Sequence, residues 1–188
     1  ACKNVGGEFI QISPASRNCI NIMEIRKVDN SVNELLDGPT LDASALAGKI
    51  QRLHIFFSLL IPDMSHEEKQ LLDEALIKTY ARKGITHKNE SLTDPQHPEQ
   101  YKKMPILEDV YNVLLESEDT KRLAHILNRL VHGSASSFNQ QTNVDLTNKY
   151  TVLDISELTG SSDLLTVGMF VALDYVWDKA KENRTEEK

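Results

Sequence analysis

Six histidines, two cysteines and scattered carboxylates are the side chains of this 188-residue sequence that could carry proton transfer, metal binding or nucleophilic attack. His125 and His132 are seven residues apart. On a helix they share a face, but two ligands do not close a zinc shell. His87 and His97 stand in a polar stretch where nothing completes a ligand set. Ser65-His66-Glu67-Glu68 is not an H-E-x-x-H pair and reads as a helix cap. Gly133-Ser134-Ala135-Ser136 lacks the last glycine of a nucleophile elbow and follows a helix, where the elbow needs a strand before it. Cys19 has only Arg17 as a basic neighbour and reads as a small buried hydrophobe. Asp154 closes a predicted strand, the place where α/β enzymes put catalytic groups and equally a place where a carboxylate caps a turn. The acidic pairs at 67–68, 73–74, 108–109 and 118–119 read as solvated helix faces. No catalytic, cofactor-binding or metal-ligating residue is therefore assigned.

Phosphate chemistry gives a sharper test. A Walker A loop wraps phosphates in glycine amides and adds a lysine and a hydroxyl in the pattern G-x-x-x-x-G-K-[ST]. The sequence has eight glycines and none in that arrangement, nor an apolar strand ending in consecutive acids. The chain alone is expected to be inactive in nucleotide hydrolysis.

Composition narrows the class. Hydrophobic residues make up 40%, enough for a packed core. A formal charge of −7 disfavours a dedicated nucleic-acid binder. Two cysteines, Cys2 and Cys19, make no disulfide framework, and a cytoplasmic setting is expected. The longest apolar stretch, Leu164 to Trp177, is too short to span a bilayer and reads as a helix covered on several sides.

The elements that would position these groups follow from periodicity. Glu8 to Ser13 alternates apolar and polar, as a half-buried strand does, between Gly6-Gly7 and Pro14. Cys19 to Met23 reads as a second extended piece, and Arg26 to Thr40 as a loop. Leu46, Ile50, Leu53, Phe57 and Leu60 form one helix face ended by Pro62. Ser65 and Glu68 cap the next helix, which carries Leu72, Ala75, Leu76, Thr79 and Tyr80 and stops near Gly84. Residues 85–104 form a long polar connection, functional or mobile, and the most promising contact region. Pro105 suits the first position of a helix bearing Leu107, Val110, Tyr111 and Leu114. A further helix carries Leu123, Ile126, Leu127 and Leu130 and stops at Gly133. Ser134 to Lys149 reads as an ordered loop anchored by Phe138 and Val144. Tyr150 to Ser156 is the strongest strand candidate, and an apolar helix runs from about Ser162 to Lys181.

Two stretches carry a resemblance. Gly6-Gly7-Glu8-Phe9-Ile10-Gln11-Ile12-Ser13-Pro14-Ala15-Ser16, followed by Ile20 to Ile25, resembles a Gly-Gly strand, Ser-Pro turn and "I-N-P-hydrophobic" segment, with Ile22 where proline is usual. Phe138-Asn139, Thr142-Asn143-Val144 and Tyr150 to Leu158 resemble an aromatic loop and a "v-x-D-[IL]-S-x-L" strand. Both are similar to segments of the conjugative-transfer ATPases of bacterial type IV secretion systems. These are the VirB-type large energising subunits, in the HerA/FtsK-like branch of motor ATPases. The resemblance implies a mainly α fold with a few β strands: a helical lobe plus an incomplete portion of a RecA-like α/β P-loop ATPase core. It implies partial core strands and loop at 1–40, an all-helical lobe at 41–133, and a return to the core at 134–188. Walker A would precede the Gly-Gly strand and Walker B would follow the apolar helix, so the start at Ala1 and the charged end at Lys188 fit an excised segment.

On this resemblance the intact parent would bind ATP and Mg²⁺ and couple hydrolysis to DNA or protein transfer. It would be encoded on a plasmid or transposon and work at the inner face of the bacterial cell membrane. Its partners would be other subunits of the same homo-oligomeric ATPase and secretion-channel proteins, without strong nucleic-acid binding by this segment. The alternative is a free-standing helical protein–protein interaction module without catalytic activity. An unrelated enzyme using Asp154 or a histidine is a third reading.

Overall fold

A computed structural model describes residues 6–14, 16–27, 44–146 and 150–186. The described residues are mainly α-helical, with two short strands that lie far apart in sequence. Strand β1, Glu8–Gln11, pairs in parallel with strand β2, Thr151–Asp154, in the register Glu8↔Thr151 to Gln11↔Asp154. Backbone bonds from Glu8 to Tyr150 and from Ile12 to Asp154, both 2.8 Å, extend the ladder at each end. Both strands are shorter than predicted. A turn closed by Ser16 N–H on the Ser13 carbonyl takes over past Ile12, and the Asp154 carboxylate accepts the Ser156 N–H and bends the chain away.

The predicted extended piece at Cys19–Met23 forms no ladder. Its backbone is held by side chains instead: Cys19 N–H donates to Asn143 Oδ1 at 2.7 Å and Asn21 N–H to Thr142 Oγ1 at 2.9 Å. The predicted loop at 26–40 lies largely outside the described residues, which resume at Ser44.

Helix α1 spans Ala45–Leu60 and opens on Ser44, whose hydroxyl accepts from Ala47 N–H. Of its predicted face, Leu46, Ile50, Leu53 and Phe57 are buried and Leu60 is half-buried, and the helix ends two residues before Pro62. Helix α2, His66–Ala81, begins with both halves of the predicted capping box, Ser65 Oγ to Glu68 N–H and Glu68 back to Ser65 N–H. Gly84 follows at φ +74°, a left-handed conformation that favours glycine, and lets Ile85 N–H return to the Tyr80 carbonyl.

The connection 85–104 is ordered. A 3₁₀ turn at Asn89–Leu92 leads to a bridge between Thr93 and Tyr101, with the Asp94 carboxylate capping the turn between them through Gln96 N–H. Helix α3 is Leu107–Leu114, so Pro105 sits two residues before it and not at its first position. Ile106 is the extended cap residue, Asp109 reaches back to its N–H at 2.8 Å, and Asn139 Oδ1 takes Glu108 N–H at 2.7 Å. Helix α4, Lys121–Val131, ends before Gly133 as predicted. Helix α5, Ser162–Glu186, runs past the predicted end at Lys181.

The core is continuous. Ile10 and Ile12 of the β1 segment, Leu53 and Phe57 of α1, Leu76 of α2, Leu127 of α4 and Val171 of α5 belong to one buried cluster. Each such side chain contributes roughly 1.5–3 kcal/mol by leaving water. Phe138 and Val144 anchor the 134–146 loop against that core, as expected.

Candidate functional site

The most unusual chemistry sits where α1, α5 and the segment after β1 meet. Asp174 and Asp178 are four apart on α5 and Lys49 and Arg52 three apart on α1, so each pair projects from one helix face. Arg26 joins them from the loop. Its Nη1 lies 3.3 Å from Asp174 and 2.9 Å from Asp178, and Arg52 Nη1 lies 2.9 Å from Asp174 and 3.1 Å from Asp178. Lys49, at 0% exposure, donates to the Ile22 carbonyl at 3.1 Å and to Asp174 at 3.4 Å. The Tyr80 hydroxyl closes the floor by donating to the Met23 carbonyl.

Burial and charge compete here. Burial drives the Lys49 ammonium down to about 8 against the pull of Asp174. Burial raises the Asp174 carboxyl, but Lys49, Arg52 and Arg26 outweigh it and hold the group below the usual carboxylate range. Burial likewise opposes the Arg52 charge, and the two aspartates more than restore it. Three cations thus face two buried carboxylates.

Arg26 also reaches the wall of a cleft of about 610 Å³. Its guanidinium stacks on the Tyr175 ring at 4.6 Å, and Tyr175 donates its hydroxyl to the Val144 carbonyl at 2.8 Å. Among the described residues the Arg26 Nε has no hydrogen-bond partner. Glu24 Oε2 is 3.4 Å from it and is held by the Thr142 hydroxyl at 2.7 Å. Glu99–Met104, the end of the polar connection, also lines the cleft. Lys102 donates to the Gly84 carbonyl and Gln141 to the Met104 carbonyl, at 2.9 and 2.8 Å, which fixes that segment. Among the described residues, five cations, Arg26, Lys27, Lys102, Lys103 and Lys179, line the cleft with three carboxylates, Glu24, Glu99 and Asp145.

The groups flagged by residue type are not brought together. His125 and His132 are both exposed. His132 is engaged by Asn128 and Glu108 at 3.2 and 3.1 Å and packs edge-on against Tyr111. His87 meets the Ser44 hydroxyl at 3.0 Å, and His97 pairs with Asp94 within its own turn. Cys19 is buried and unpaired, its thiol pushed up to about 11 by that burial. Asp154 caps its turn, and the Ser156 N–H holds its carboxyl low. Among the described residues no three His, Cys, Asp or Glu side chains converge on a metal position.

The charge cluster had one sequence signal. Asp174 interrupts the apolar stretch Leu164–Trp177 and Asp178 follows it at a four-residue spacing, while Lys49 falls between Leu46, Ile50 and Leu53 on a buried face. Charges at core positions imply partners.

The coverage expected for α5 is not found. Met169, Leu173, Val176 and Trp177 line one exposed stripe, with Leu173 64% and Trp177 60% exposed. The outer side of the strand pair is similar: Phe9 faces Val152 across the register, at 47% and 42% exposure. The prediction from composition failed because α5 is buried on the side where Val167, Val171 and Tyr175 meet the core, and nothing among the described residues covers the other side. No described helix is long and apolar enough to cross a membrane.

No protein-family model matches the chain, and no curated protein matches it either. Among solved structures the chain is similar to VirB4 of Thermoanaerobacter pseudethanolicus, with a TM-score of 0.79 and 24% sequence identity. The superposition covers 97% of this chain and 65% of that one. The shared property at that identity is the fold, and the chain spans 65% of the length of the structure it matches.

Proposed function

We propose that this chain is an internal segment of a type IV secretion motor ATPase. In this reading, residues 41–133 are an all-helical lobe for contacts with subunits and partners. Residues 1–40 and 134–188 belong to its RecA-like core. The observation that carries the reading is the VirB4 fold, followed over 97% of the chain. The strand pair supports it. Parallel sheets are normally covered on both faces, and a lone two-stranded ribbon is marginal in water. Here a parallel pair bears Phe9 and Val152 on a bare face, beside a helix with a bare apolar stripe. Both features fit a sheet whose further strands and covering helices lie elsewhere in a longer chain.

The parent would take ATP with Mg²⁺. No position of this chain matches the glycine-rich phosphate loop, so no step of hydrolysis is assigned to its side chains. They hold the lobe to the core: Arg26, Lys49 and Arg52 tie the segment after β1 and helix α1 to Asp174 and Asp178 of α5. DNA or protein transfer, a homo-oligomeric assembly, secretion-channel partners and a site at the inner face of the bacterial membrane belong to the same proposal.

The test is a comparison of two purified proteins, residues 1–188 and the chain encoded by the uninterrupted reading frame around them. Magnesium-dependent ATP hydrolysis is expected from the longer chain and none from 1–188. Turnover by 1–188 itself, or a reading frame that closes at Lys188 and encodes no Walker motifs, would overturn the proposal. The closed frame would favour a free-standing interaction module.

A further inference from the structure

The geometry points to the basic cleft as a receptor for a carboxylate-bearing peptide segment of a partner protein. The inference rests on the reading of this chain as part of a multi-component machine, and names what one of its surfaces takes. Three observations carry it. First, the cleft is a concavity of about 610 Å³, within the size range of ligand sites, and among the described residues that line it cations exceed carboxylates five to three. Second, Arg26 is preorganised. Asp174 and Asp178 grip one end of its guanidinium and Tyr175 stacks on its face, while the buried Nε has no hydrogen-bond acceptor among the described residues. Glu24 stands before that Nε at 3.4 Å, tethered by Thr142, as a resident carboxylate in poor hydrogen-bonding geometry. An incoming carboxylate that displaced it would gain a charge-assisted bond to a fork already held in place. Third, the remaining lining suits a polypeptide: amide side chains at Gln100 and Gln141 and aromatic rings at Tyr101 and Tyr175.

The three carboxylates decide between anions. A polyphosphate or nucleic-acid strand brings dense, continuous negative charge against Glu24, Glu99 and Asp145. A peptide with spaced carboxylates can set each one between a pair of cations and leave amides opposite the acids. Complementarity of this alternating kind gives specificity and association rate.

The test uses the 188-residue chain and a fluorescein-labelled peptide, Gly-Glu-Gly-Glu-Gly-Glu-Gly, read by anisotropy at low salt. Saturable binding is expected, with the glutamine counterpart at least about tenfold weaker. The double variant Lys27→Glu/Lys103→Glu changes two exposed cleft lysines and should weaken the glutamate peptide about tenfold or more. Lys69→Glu/Lys88→Glu carries the same charge change at exposed positions outside the cleft and should not. Arg26→Lys should weaken binding too, and if that variant misfolds the lysine pair decides. Equal binding of both peptides, equal loss in both lysine pairs, or displacement by tripolyphosphate at matched charge as readily as by unlabelled peptide would each overturn the inference. Binding is read without nucleotide, so this proposal and the motor reading can fail separately.

Discussion

At the scale of single residues, Lys49 is the side chain whose behaviour is most sharply constrained. It is fully buried, its ammonium donates to Asp174 and the Ile22 carbonyl, Asp178 adds a weaker attraction, and Arg26 and Arg52 add repulsion nearby. Folding lowers its pKa from the ordinary 10.5 to about 8. Between those values the unfolded chain holds a proton that the native chain has released. Stability from this group therefore rises with pH across that window and is lost as pH falls through about 8. The full effect is on the order of 3 kcal/mol. Denaturant melts of wild type and Lys49→Met at pH 7.5, 9 and 10.5 should show wild type gaining on the variant at each step. Parallel pH profiles would contradict the assignment. The variant should be no less stable at pH 7.5, since an apolar side chain there avoids the cost of a buried charge and leaves Arg26 and Arg52 balanced by Asp174 and Asp178.

At the scale of elements, the close approach of α5 to the 3₁₀ turn at Ser156–Gly160 turns on Gly168. A Cβ built there would stand 2.2 Å from Leu158 Cδ1, a side chain that is itself buried. Gly168→Ala must push Leu158 aside and should cost about 1–3 kcal/mol despite the better helix propensity of alanine. A thermal melt reads it, and an unchanged or raised midpoint would show that the contact yields freely. Much at this scale was legible in the sequence because its causes are local. The Ser65–Glu68 cap, the left-handed Gly84, and the faces of α1 and α4 each depend on residues within a few positions. What was not legible came from distant partners. Asn139 caps the start of α3 from 31 residues away, so the helix begins at Leu107 and not at Pro105. Side chains at 142 and 143 hold 19–21 in place of a strand neighbour. The candidate site was the least readable part. Periodicity can mark Asp174 and Asp178 as a pair, but that Arg26, Lys49 and Arg52 answer them is settled only by packing.

At the scale of the whole molecule, two bare apolar surfaces govern how the isolated chain should behave. The Phe9–Val152 face and the α5 stripe of Met169, Leu173, Val176 and Trp177 group exposed apolar side chains, which favours self-association when nothing covers them. Residues 1–188 should therefore oligomerise as concentration rises. Leu173→Lys/Trp177→Glu should shift the chain toward monomer with little loss of melting temperature, because both side chains are mostly in water already. Analytical ultracentrifugation over a concentration series measures this. Monomeric wild type throughout would mean that these surfaces do not associate with one another.

The pairing of Glu8 with Thr151 has a consequence for biosynthesis. The first strand leaves the ribosome about 140 residues ahead of its only described neighbour, a delay of roughly 7–30 s at ~5–20 residues per second. Throughout that interval α1 to α4 can emerge and pack, while Phe9 and Ile10 still lack their partners Val152 and Leu153. Chaperones that shield short apolar stretches would find a target at β1 during that delay, and a translational pause placed before Thr151 would lengthen its exposure.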